Sequence, residues 1–172
     1  MHREHLLNKY RGTYALILAL DSPATITVGK LGTFCFSPGY YVYIGSALNG
    51  IAARIGRHFR GSEKLRWHID YLRKKAGPAE VWYVESPERL ECDWDRAAAC
   101  MPGAGAPVKG FGASDCHCYS HLVYFDHPPS SEDFCLRLGA RGHGIGTTKQ
   151  GRFSASPVSL LPPLSVKCRR IT

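Results

Sequence analysis

Two tyrosine-bearing segments one hairpin apart, with a basic helical segment close behind, constrain this chain more than any other feature. Gly12-Thr13-Tyr14 opens an apolar run, and Tyr41-Val42-Tyr43-Ile44-Gly45-Ser46 follows. Arg54 and His58 then stand one helical turn apart. Ile51, Ile55 and Phe59 repeat at the same spacing and predict the buried stripe of that helix. Arg54 and His58 lie on the adjoining face, which can overlook the end of the strand carrying Tyr43. The order strand, turn, strand, helix thus gathers two tyrosines, an arginine and a histidine into one region.

The surrounding pattern predicts an α+β domain. Thr13–Leu20 reads as a strand of apolar residues suited to a pleated surface, and Ala24–Lys30 alternates Ile26 and Val28 with Thr25 and Thr27. Tyr40–Ile44 is the third strand, and Asn49 is the expected N-cap of a helix over Gly50–Arg60. A second helix is expected over Leu65–Lys75, a strand over Ala79–Glu85, and a helix from Ser86-Pro87 through Glu91 to Cys100. Tyr119–Phe125 closes the pattern as a strand. The expected architecture is a three-stranded antiparallel sheet flanked by helices, with one or two extra strands. Residues 1–11 form a lead, 12–126 the domain, and 127–172 an extension expected to be largely flexible, with a short helix at Phe134–Leu138.

A chain of 172 residues with 44% hydrophobic residues suits one ordinary domain. No export signal opens the sequence, and no apolar run is long enough to span a bilayer. Seven cysteines, an odd number, then point to reduced thiols, and the expected location is cytoplasmic. The net charge of +8 is uneven: residues 1–75 carry 12 Lys/Arg against 4 Asp/Glu, and residues 134–172 carry 7 Lys/Arg and no acid. Such a surplus suits a polyanionic partner, because neutralised phosphates release counterions. Arg57, Arg60, Lys64 and Arg66 are the expected nucleic-acid contacts, and no membrane partner is expected. Arg54 suits a phosphate directly, since its permanently charged fork matches phosphate oxygens two at a time. A tyrosine acting as base would need help, because forming phenolate at pH 7 costs about 4 kcal/mol from an ordinary pKa.

Taken as a string, Gly-Thr-Tyr, Gly-Lys-Leu-Gly, Pro-Gly-Tyr-Tyr-Val-Tyr-Ile-Gly-Ser-Ala-Leu, Arg54, Arg57-His58, Trp-His-Ile-Asp-Tyr-Leu, Glu91-Cys92 and the Phe111–Leu122 segment resemble the GIY-YIG nuclease superfamily. Thr13 stands where the first tripeptide of the family has isoleucine. The closer likeness is to a small branch of Uri-like endonucleases. The resemblance implies a DNA endonuclease that needs Mg²⁺ or Mn²⁺, with Tyr14 or Tyr43 activating the water. It implies Glu91 as the metal ligand, with waters filling most of the coordination shell. Ser46 replaces a lysine of the excision-repair branch, so His58 is expected to share that work, and His68 matches a further histidine of the homing branch. The asparagine that other branches carry after the glutamate has no counterpart, which makes Asp115, Ser120 and His121 candidates to replace it. Cys116, Cys118 and His121 are also zinc-ligand types, although Cys-x-Cys is tighter than usual. Two rival readings stay open: a nucleic-acid-binding module that does not cut, and a zinc-stabilised interaction domain.

Overall fold

The computed structural model describes residues 10–138 and 146–149; most of the expected lead and most of the expected tail lie outside them. Four antiparallel strands form the centre in the order β6-β4-β1-β5: β1 Gly12–Leu20, β4 Gly39–Ala47, β5 Gly77–Glu85 and β6 Leu122–Phe125. A short β7, Gly146–Lys149, pairs with the outer edge of β5. The remaining strands, β2 Ala24–Val28 and β3 Gly32–Phe36, make a separate hairpin. Four helices complete the described residues: α1 Ile51–Arg60, α2 His68–Arg73, α3 Glu91–Ala99 and α4 Ser131–Leu138. The architecture is mixed α and β, roughly α+β as the sequence pattern predicts, but the sheet has five strands among the described residues rather than three, and the expected second strand lies in the separate hairpin.

The two faces of the sheet follow from the period of two along each strand. Tyr14, Leu16 and Leu18 of β1, with Tyr41 and Tyr43 of β4, face α1, α2 and the hairpin, where Ile51, Ile55, Ile69, Leu72 and Val28 close the core. Ala15, Ile17, Val42, Ile44 and Trp82 face the other way, onto Trp94, Ala97 and Phe134. Covering both faces explains why β1 reads as an unbroken apolar run rather than an alternation. In the β1/β4 register Tyr14 sits opposite Gly45. A side chain at Gly45 would come within 2.6 Å of the Tyr14 hydroxyl, so the glycine makes room for that ring.

Several expected boundaries shift. Asn49 is exposed and does not cap α1; Gly50 holds that position at φ 115, and the Ile51 N–H bonds to the Tyr10 carbonyl at 2.9 Å. Helix α2 is shorter than expected. Its entry is fixed by Asp70, whose carboxylate accepts the Arg66 and Trp67 amides at 2.8 and 3.0 Å. Ser86 accepts the Glu88 amide but does not start a helix, which begins instead at Glu91. Strand β3 was not expected: the glycines and proline around it resemble turn punctuation, yet Phe36 is buried and pairs with Ala24. Packing also runs past residue 126, where the extension was expected to begin. Phe134 is fully buried, with its ring 5.0 Å from Trp82 and 5.1 Å from Trp94 between centroids.

Candidate functional site

Where β4 ends, the face of the sheet toward α1 opens into a cleft of about 350 Å³. Strand β4 contributes Tyr43 and Ser46, α1 contributes Arg54, and the segment leading into α2 contributes Arg66, Trp67 and His68. The first residue of α3, Glu91, reaches the same cleft, although the body of that helix covers the opposite face. Gly112, Ser114, Asp115 and His121 form the remaining wall. Tyr43, Arg54, Glu91, His68, Arg66, Asp115 and His121 therefore share one solvent-open basin. A larger cavity, about 1020 Å³, lies beside α3 and α4 and is lined by none of these residues.

Tyr14 and His58 do not line this cleft. They form a buried pair behind it, with the Tyr14 hydroxyl 2.7 Å from His58 Nε2. Burial, reinforced by the charge of Arg54, pushes the His58 pKa down to about 3. The imidazole is thus neutral at pH 7 and cannot lend positive charge to a tyrosine. Burial raises the Tyr14 pKa well above its ordinary value, and that of Tyr43 to about 12, with Arg54 offsetting part of each. A tyrosine base would need Arg54, His58 or a metal to lower its pKa; the neutral His58 does not do so, and Arg54 offsets only part of the burial. Phenolate at Tyr43 would cost about 7 kcal/mol at pH 7 in this state.

The basic residues divide by role. Arg54 and Arg57 both lie over the Trp67 ring, at 4.0 and 4.3 Å from its centroid. Arg57 is also held by Asp70 through two hydrogen bonds, at 2.7 and 2.9 Å. Burial alone would raise the Asp70 carboxyl pKa, but Arg57 and the Trp67 and Arg66 amides outweigh it and hold the carboxyl below its ordinary value. The expected nucleic-acid contact at Arg57 is therefore corrected to an internal tie that carries Trp67 and α2. Arg60, Lys64 and Arg66 are exposed, and of these Arg66 lines the cleft.

His68 and the loop wall hold each other. The Gly112 amide donates to His68 Nδ1 at 3.0 Å, which leaves the ring proton on Nε2. Gly112 has φ +70, and a side chain there would meet the Tyr43 ring at 2.8 Å. Backbone bonds from His121 N–H to Phe111 and from Ile44 N–H to His121, 2.7 and 2.9 Å, seat the loop against β4. At the rim Arg89 lies 3.2 Å from Asp115 Oδ2 and 3.9 Å from Glu91 Oε1.

Directly beside Glu91, Cys92 joins Cys116, Cys118 and His121, and the four ligand atoms lie within 4.8 Å of one another. Cys116 Sγ is 3.3 Å from His121 Nε2. Burial and the two neighbouring thiols push the Cys118 pKa up to about 12. This group could hold a metal ion. Sequence spacing suggested three of its members and missed Cys92, although Cys92 stands in the Glu91-Cys92 pair. His121, expected as a replacement for an asparagine, lines the cleft and also turns its Nε2 to Cys116.

No helix among the described residues is long and apolar enough to cross a membrane. No curated protein and no solved structure matches the chain. One family model, a domain of unknown function designated DUF123, matches residues 13–142. The chain therefore belongs to the DUF123 family.

Proposed function

We propose that this chain is a divalent-metal-dependent endonuclease that hydrolyses phosphodiester bonds in DNA. The observation that carries the reading is the shared cleft: a guanidinium, a tyrosine hydroxyl and a carboxylate line one basin open to solvent, with Arg66 at its edge. The GIY-YIG likeness of the two tyrosine segments, Arg54 and Glu91 supports the same conclusion.

The donor chemistry fits a hard cation. Glu91 offers an oxygen ligand with Asp115 in the same cleft, and the open remainder leaves space for waters and phosphate, as Mg²⁺ or Mn²⁺ requires. Glu91 would hold the ion, which supplies Lewis-acid stabilisation of the phosphoryl oxygens and acidifies a water when bound. Arg54 holds two phosphate oxygens and balances the charge that develops on them. Trp67 beneath it, itself fixed through Arg57 and Asp70, limits how far that guanidinium can swing. Tyr43 keeps its proton and orients the attacking water through its hydroxyl. Tyr14 is too deeply buried to touch substrate and acts through the His58 pair that backs Tyr43.

One observation favours the rival binding module: burial holds Tyr43 at about 12 and the Gly112 amide occupies His68 Nδ1, so neither presents a free base to the cleft. A cleavage panel of single-stranded, duplex, nicked and branched DNA decides between them. Cleavage with Mg²⁺ or Mn²⁺ that EDTA abolishes is the expected result. Retention of DNA without cutting under any divalent ion assigns the chain to the binding module.

A further inference from the structure

We infer that Cys92, Cys116, Cys118 and His121 form a closed structural zinc site that staples the loop wall of the cleft to the first turn of α3. This inference is independent of the nuclease reading. It rests on four ligand atoms drawn together from separate parts of the chain, all within 4.8 Å of one another. A tetrahedral zinc with sulfur ligands at ~2.3 Å places those sulfurs about 3.8 Å apart, so only small adjustments close the group around an ion. Three sulfurs and one imidazole nitrogen are soft to borderline donors, which select zinc over the hard magnesium ion. With four protein ligands, no position remains for water or substrate, so the ion is structural.

The topology explains how a Cys-x-Cys pair serves here. In an extended or turning segment, alternate side chains can point the same way, so Cys116 and Cys118 both reach one centre. His121 follows where the loop meets the sheet, and its carbonyl already accepts the Ile44 amide. Cys92 supplies the distant ligand from a helix whose Trp94 and Ala97 are anchored in the core. Each cysteine binds as thiolate and releases its proton to solvent. The ion thereby holds Gly112 against the Tyr43 ring and in reach of His68. It also joins Glu91 to that wall through the next residue in the chain.

The test uses the full chain, purified in the presence of zinc and a reductant, with metal content read by elemental analysis. About one tightly held zinc per chain is expected. Replacement by Co²⁺ should give the intense visible bands of a tetrahedral thiolate site together with sulfur-to-cobalt charge transfer. Cys92→Ser and His121→Ala should lower zinc retention at least about tenfold, while Cys35→Ser, outside the group, should not. Cys92→His, which still offers a ligand, should keep cobalt binding with weaker charge transfer. Zinc removal should lower the unfolding temperature whether or not the chain cuts DNA. The inference is overturned if the reduced wild-type chain holds no zinc and gives no tetrahedral cobalt bands. It is equally overturned if Cys92→Ser leaves zinc retention and the cobalt spectrum unchanged. Loss of zinc retention with cleavage intact would leave the nuclease reading standing, and the reverse would leave the zinc site standing.

Discussion

The Tyr14 hydroxyl meets His58 Nε2 at 2.7 Å, and neither side chain reaches solvent. Because burial lowers the His58 pKa from 6.5 to about 3, the native state binds fewer protons there than the unfolded chain. The stability it contributes is fully present above pH 6.5 and is lost as pH falls toward 3, by at most about 5 kcal/mol. His58→Gln keeps an acceptor for Tyr14 but cannot titrate. Chemical denaturation from pH 7 to 4 should show a shallower loss of stability in that variant than in wild type. Equal slopes would mean that the imidazole is not buried in neutral form.

Glu91 and Arg54 share the cleft but have separable roles. Glu91→Gln removes the anionic ligand, and Arg54→Ala removes the phosphate clamp. Each should lower single-turnover cleavage by about 10²-fold or more. Glu91→Gln should still bind DNA, since its carboxylate repels phosphate when no ion is bound, whereas Arg54→Ala should bind more weakly. Both should leave the unfolding midpoint nearly unchanged. A cutter indifferent to Glu91→Gln would move the metal to other ligands.

Arg57 and Arg66 look alike in a charge count and should behave oppositely. Arg57→Ala leaves Asp70 buried without its partner and should destabilise the fold by about 3 kcal/mol. Arg66→Ala should leave stability within about 0.5 kcal/mol while weakening DNA binding and reducing its salt dependence. Paired denaturation and salt titrations check both. If Arg57→Ala proved neutral in stability, the Asp70 tie would not be supporting the Trp67 wall.

Phe134 fills the space between Trp82 and Trp94, so the chain beyond residue 126 contributes to the core. Phe134→Ala should cost about 3–5 kcal/mol. Truncation after residue 126 should be at least as damaging, and a truncated chain with the wild-type unfolding midpoint would contradict this packing.

Much of this arrangement is legible in the sequence because side-chain period sets which residues share a face. Tyr14, Leu16 and Tyr43 point together for that reason, and so do Ile51 and Ile55. Glu91 is legible only through its family resemblance, since nothing local distinguishes it from a solvated glutamate. What stays hidden depends on contacts between distant segments. Arg57 meets Asp70 across a turn and a second helix entry, and charge pattern alone does not reveal that pairing. His58 reads as an active-face residue at helical spacing, but the Tyr14 ring closes over it. Cys92 is separated from its companions by a helix and a loop, so spacing rules built for local pairs pass over it. Phe134 sits in a Gly- and Pro-rich region whose composition suggests no core contact.

The stacking of Arg54 on Trp67 gives the molecule its own optical gauge. Of the three tryptophans, Trp82 and Trp94 are sealed in the apolar core beyond the sheet, while Trp67 stands half-buried in the cleft wall. Their emission belongs to an environment that a visitor to the cleft does not touch. Any anion that draws Arg54 off the indole alters the field around that one fluorophore, so occupancy is written into the red edge of the native spectrum without a label.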